Sequence, residues 1–244
     1  MANEVNVRRA ASDGRRVTLT TQTYFSDARS NIDEILAQFL DVAGRPDLRE
    51  TLAYCVHELA NNAKKANTKR VYFEARGLDM DDEPDYWIGM RDFRRETADG
   101  IGRYLPMLRE AGLSIKVQFK LISDTLMIAV RNNVKLTAIE RRKIEEKIAR
   151  SRKCSDIAQA YASVEDSSEG AGLGIVMMLI MLRSLGLGEN TLRFFTNSRE
   201  TLALLSVPVR NPDGPTGTDA ARSHANLMDT LPTDSVPIPG TPDG

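Results

Sequence analysis

The sequence predicts an α+β fold, a two-layer sandwich in which a mixed, mostly antiparallel sheet carries its helices on one face. Three observations predict it. Two stretches, 114–133 and 191–209, each hold a pair of short strand-like runs split by turn residues, the pattern of a hairpin. Two others, 26–44 and 45–66, repeat apolar residues at spacings of three and four, the pattern of a half-buried helix. The order strand, two helices, strand, insert, hairpin, two helices, hairpin then puts helices against one face of a largely antiparallel sheet.

The elements follow in chain order. Residues 1–15 are expected to be flexible. The Thr-rich alternation of 16–25 predicts a strand or short hairpin. Residues 26–44 open on Ser26 and Asp27 as caps, carry Ile32, Ile35, Leu36, Phe39 and Leu40 on one face, and stop at Gly44. The next helix has Pro46 near its start and a stripe of Leu48, Leu52, Cys55, Val56, Leu59, Ala63 and Ala66. "RVYFEA", 70–75, predicts a strand. An insert, 77–112, begins acidic and is helical in part. The first hairpin turns at Ser123–Asp124 and the second around 198–200. Between them lie a charged helix, 137–151, and a glycine turn, 170–174, that opens an apolar helix. Pro, Gly, Asp, Ser and Thr dominate 210–244, which is expected to be disordered because it cannot bury enough surface to offset chain entropy. The domain proper is 16–209.

Bulk properties exclude several classes. Across 244 residues the net charge is −1, so nothing global points to nucleic acid or to an anionic membrane surface. Two cysteines are too few for a disulfide framework. The opening "MANEVNVRRAASDGR" lacks the apolar run of a secretory signal, and the most apolar stretch is interrupted by Arg183. A cytoplasmic protein with no membrane contact is the expectation.

Two segments can carry chemistry. Glu58, Asn62 and Lys65 stand at i, i+4 and i+7 and so share one stripe, with Asn61 about a hundred degrees around. A carboxylate and an amide oxygen suit Mg²⁺ or a water, and an ammonium suits a phosphate. The alternative is a solvated helix face. His57 before Glu58 begins like a zinc-protease helix, but Asn61 stands where the second histidine belongs, so zinc is rejected and His57 is assigned to packing or capping. In the second segment Gly170, Gly172 and Gly174 allow a tight turn, and the following helix start presents free amides to an anion. Neither the dinucleotide-binding nor the phosphate-loop pattern is completed, and a plain turn into a buried helix is the alternative.

Together, "HELANNAKKA" and, about a hundred residues later, "EGAGLG" before an apolar helix and a closing hairpin resemble the GHKL ATPase superfamily. Its members include the ATP-binding domains of histidine kinases, anti-sigma serine kinases, gyrase-type topoisomerases and mismatch-repair ATPases. The resemblance covers about 16–208, without a counterpart for the insert. It implies the histidine-kinase-like fold, Asn62 as the Mg²⁺-binding asparagine, Glu58 as general base and Lys65 near the phosphates. It makes Gly170, Gly172, Leu173 and Gly174 the receiver of the ATP triphosphate, and segment 137–168 the counterpart of the ATP lid. The family's Asp-x-Gly-x-Gly motif, which holds adenine, is altered: Asn132 takes the aspartate position, and Val134 and Leu136 take the glycines. Both side chains are expected to enter the space of the base.

Three readings stand. One is a stand-alone ATP–Mg²⁺-binding signalling protein, with a protein partner and the activity of an ATPase or anti-sigma-type kinase. The second is a nucleotide-independent scaffold of the same fold, and the third a phosphotransfer or regulator-binding module. In the insert, Tyr86, Trp87 and Phe93 suit a partner or homodimer contact, or simply pin the insert to the body. The basic cluster of 140–153, interleaved with glutamates, reads as a solvated helix.

Overall fold

The computed structural model describes residues 2–22, 24, 26–98, 101–162, 172–209 and 236–238. Strands β1 (Val17–Thr21), β2 (Ile115–Ile122), β3 (Thr125–Asn132), β4 (Leu192–Thr196), β5 (Thr201–Pro208) and β6 (Val236–Pro237) form one sheet. Their order is β1-β2-β3-β5-β4-β6, and every pairing is antiparallel. Both expected hairpins form. The first turns at Ser123, whose φ of 49° lies in the left-handed region.

Helices α1 (Ala2–Ser12), α2 (Ser26–Val42), α3 (Arg49–Glu74), α6 (Ala138–Lys153) and α8 (Leu173–Ser184) frame the main core, and the short α7 (Ile157–Ala162) packs on α8. Period-2 alternation sorts the strands: Ile115, Val117 and Phe119, then Leu126, Ile128 and Val130, face Leu36, Phe39, Leu52, Val56 and Met178 of the helices. The opposite face carries Met127, Ala129, Phe195, Leu202 and Leu204, a cluster formed by strand residues alone among the described residues. The helices therefore lie on one face, as the two-layer sandwich requires. No helix among the described residues is long and apolar enough to cross a membrane.

Three expectations need correction. The flexible stretch 1–15 contains helix α1, anchored by buried Ala10 and Ala11. The expected strand 70–75 is instead the last turn and a half of α3. Strand propensity there is overridden by burial on several sides at once. Val71, Tyr72 and Phe73 are consecutive, so on a helix they span more than half the circumference, and all three are buried. Their cover is a second core built by the insert, whose helices α4 (Glu83–Ala98) and α5 (Ile101–Glu110) bring Tyr86, Phe93, Tyr104 and Leu108. The third correction concerns the tail. Most of 210–244 lies outside the described residues, but Val236–Pro237 pairs with β4 as β6, and Ile238 is buried in the main core.

The second core makes a sharp demand at Gly89, where a β-carbon would run into the ring of Phe73. Gly89→Ala is therefore expected to destabilise the protein by about 1–3 kcal/mol through overpacking. Urea denaturation checks this, with a lowered midpoint and an unchanged slope as the expected pattern.

Candidate functional site

Helix α3 reaches from one core to the other, and a cavity of about 540 Å³ opens along it where the two meet. Helix periodicity puts Glu58, Asn62 and Lys65 on its wall, as the spacing predicts. Asn61, expected to point elsewhere, also lines the cavity, as do Lys64 and Lys69, because the opening is wider than a single stripe. Gly172, Leu173 and Gly174, at the start of α8, line it as well. Gly170 lies outside the described residues.

The two segments touch. A β-carbon at Gly174 would fall on the Glu58 carboxylate, so glycine there is what lets the acid of α3 reach the first turn of α8. Gly172 caps α8 with φ of 54°, a conformation that favours glycine, and a β-carbon on it would lie 3.1 Å from Cε of Lys147. The first amides of α8 have no intrahelical acceptor, and they belong to residues that line the cavity.

Asn132 lines the cavity at the end of β3 and is buried. Its orientation follows from a chain of amide bonds. The Ser114 carbonyl can only accept, so Asn67 turns Nδ2 toward it at 3.2 Å. Oδ1 of Asn67 then accepts from Nδ2 of Asn132 at 3.3 Å, and Oδ1 of Asn132 is left as the acceptor. Asn133 locks the same corner, accepting from the Ser114 amide at 2.7 Å and donating to the Gly112 carbonyl at 2.9 Å. The two substituted glycine positions separate. Leu136 lines the cavity as expected, whereas Val134 is buried in the second core and does not.

The cavity is cationic: Lys64, Lys65, Lys69, Lys143 and Lys147 line it against Glu58 and Glu140. The Glu140 charge is already met by Arg70 at 2.6 Å and Lys69 at 3.8 Å, while its carboxylate also closes a capping box with Thr137. Burial, with Lys65 adjoining, holds the Lys64 ammonium below the usual lysine range. Such a site favours a polyanion.

Sequence reading missed Lys143 and Lys147, treated as part of a solvated helix. In fact α6 buries Ile139, Glu140, Ile148 and Ser151 and turns these two lysines to the cavity. Their i, i+4 spacing beside Ile144 and Ile148 was the available signal. Asn67 carried no such signal. The insert was also missed as a wall: Tyr86, Met90, Phe93 and Thr97 of α4 line the cavity. Tyr86 and Phe93 pin the insert, whereas Trp87 is 48% exposed.

His57 packs, as expected, outside the cavity. Nε2 meets Asp33 at 2.7 Å and Nδ1 bonds the Tyr24 hydroxyl, joining α3 to α2 and to the segment before it. No cluster of three or more His, Cys, Asp or Glu able to hold a metal occurs among the described residues.

Comparison with known proteins finds an uncharacterized protein of Treponema pallidum (strain Nichols), 39% identical over 227 residues. The match covers 93% of this chain and 44% of that protein, so the chain spans less than half the length of that relative. No protein-family model and no solved structure matches.

Burial along α3 and its neighbour has a titration consequence. It pushes the Cys55 thiol up to about 12 from 9.0, and the Tyr24 and Tyr54 phenols up to about 12 from 10.0. The folded chain thus holds protons that the unfolded chain releases. Their stabilisation is complete below about pH 9 and is lost as pH rises toward 12. Urea midpoints are expected to hold level up to about pH 9 and to fall steadily from there toward pH 12, and flat midpoints over that rise would contradict the burial of these groups.

Proposed function

We propose that the cavity binds ATP with Mg²⁺, and that the protein acts on a protein partner in signalling as a kinase or ATPase. The observation that carries this reading is the meeting of the α3 stripe with the glycine turn of α8, with Glu58 packed into the space that Gly174 leaves open. The residues present fit the group. Asn62 offers a hard oxygen suited to Mg²⁺. Lys65 and Lys147, with the first amides of α8, offer donors to phosphate oxygens. Oδ1 of Asn132, held by Asn67, is an acceptor for the exocyclic amino group of adenine, and it disfavours guanine, which presents an acceptor there. Bound Mg²⁺ would neutralise phosphate charge and polarise the terminal phosphoryl group. Glu58 would then orient and deprotonate the attacking water or hydroxyl.

A scaffold that binds no nucleotide is the competing reading. Leu136 in the cavity favours it, since a glycine there would leave more room for a base. The cationic lining and the preset Asn132 weigh the other way, because a nucleoside triphosphate matches both the excess of lysines over acids and the amide acceptor.

Isothermal calorimetry with ATP or a non-hydrolysable analogue and Mg²⁺ decides between them. Wild type is expected to bind, and Asn62→Ala to lose about tenfold or more of the affinity, the worth of one charge-assisted contact. Glu58→Gln is expected to keep binding within a few-fold and to lose phosphate release. Absence of heat from wild type at millimolar nucleotide would sink the proposal.

A further inference from the structure

Lys143 stands where two sets of partners meet. Its ammonium lies 4.6 Å from the ring centroid of Tyr86 and 4.6 Å from that of Trp87, and it donates to the Tyr86 hydroxyl at 3.3 Å. The rings are edge to face, at 88° and 5.8 Å, so one cation sits against both. Lys143 also lines the cavity, one turn along α6 from Lys147, the lysine over Gly172. Elsewhere the insert meets this side of the domain through Asp81 with Lys135 at 3.1 Å and Glu83 with Arg142 at 3.2 Å. All four of those side chains are at least half exposed, and such pairs hold weakly. Ile139 of α6 packs with Tyr86 and Phe93 in the second core, and beside the cavity the polar contact between α4 and α6 is that of the lysine with the two rings.

We propose that Lys143 is a ligand-contact residue whose ammonium is exchanged between the Tyr86–Trp87 pair and a phosphate oxygen of the bound anion. The proposal rests on reading the cavity as a nucleotide site. A ring quadrupole attracts a cation less strongly than a phosphate that accepts a charged hydrogen bond, so a ligand phosphate within reach takes the ammonium from the rings. Occupancy of the cavity then loosens α4 from α6 and alters the outer face of α4, where Trp87 and Ile88 are about half exposed. Binding inside the domain is thereby reported on a surface that a protein partner can reach.

Trp87 is the single tryptophan of the chain, so its emission reports this contact alone. ATP with Mg²⁺ is titrated into the full-length protein while calorimetric heat and Trp87 fluorescence are followed in parallel. The expected result is a red shift that saturates over the concentrations at which heat saturates. Lys143→Met is expected to abolish the shift and weaken binding about tenfold. Lys143→Arg, which keeps a cation and its attraction to the rings, is expected to restore the shift. Heat without any change in Trp87 emission overturns the exchange and leaves the nucleotide reading standing, whereas absence of heat overturns both.

Discussion

Everything in this structure hangs on how α3 is buried. The helix has 26 residues, about 39 Å of axis, and no single sheet of this size could cover it. Its first half gives Leu52, Cys55, Val56 and Leu59 to the main core, and its last turns give Val71, Tyr72 and Phe73 to a second core. Between the two cores the helix must cross a region that neither fills. That gap is the cavity, and the polar residues of α3 between its two apolar ends necessarily form one wall. Without the insert, Val71 to Phe73 would be exposed apolar surface and the helix would have no reason to continue past Ala66.

The same burial sets the electrostatics. Lysines that a surface helix would hold in water converge here from α3 and α6 on partly desolvated space, and the depressed Lys64 reflects that crowding. The two acids are not equivalent. Glu140 is consumed by Arg70, Lys69 and the cap of α6, and so serves the architecture. Glu58 has no such ion pair among the described residues and rests against the glycine turn, where a reacting group has use for it. Asn132 shows how a substituted position acquires a definite role. An amide can in principle present either end, but the link through Asn67 to the Ser114 carbonyl allows one orientation only.

Much of this was legible in the chain because it depends on local spacing. The stripe Glu58, Asn62, Lys65 follows from helical periodicity alone. The two hairpins follow from alternation and turn chemistry. Other features were hidden because their cause is distant in sequence. Residues 70–75 read as a strand since Val, Tyr and Phe favour strands when nothing else is known, and only an insert folded against them makes them helical. Val134 and Leu136, two residues apart, part company because one turns into the second core and the other into the cavity.

By itself, then, the sequence determined the antiparallel hairpins, the amphipathic helices and the face of α3 that carries acid, amide and ammonium, since each is set by neighbours within one or two turns of chain. Tertiary structure alone decided that this face meets the glycine turn of α8 across more than a hundred residues. It also brought Lys143 and Lys147 inward, and made the insert a wall of the cavity. The reason is that contact between remote segments depends on which apolar surfaces find cover in three dimensions, and no local pattern records that choice.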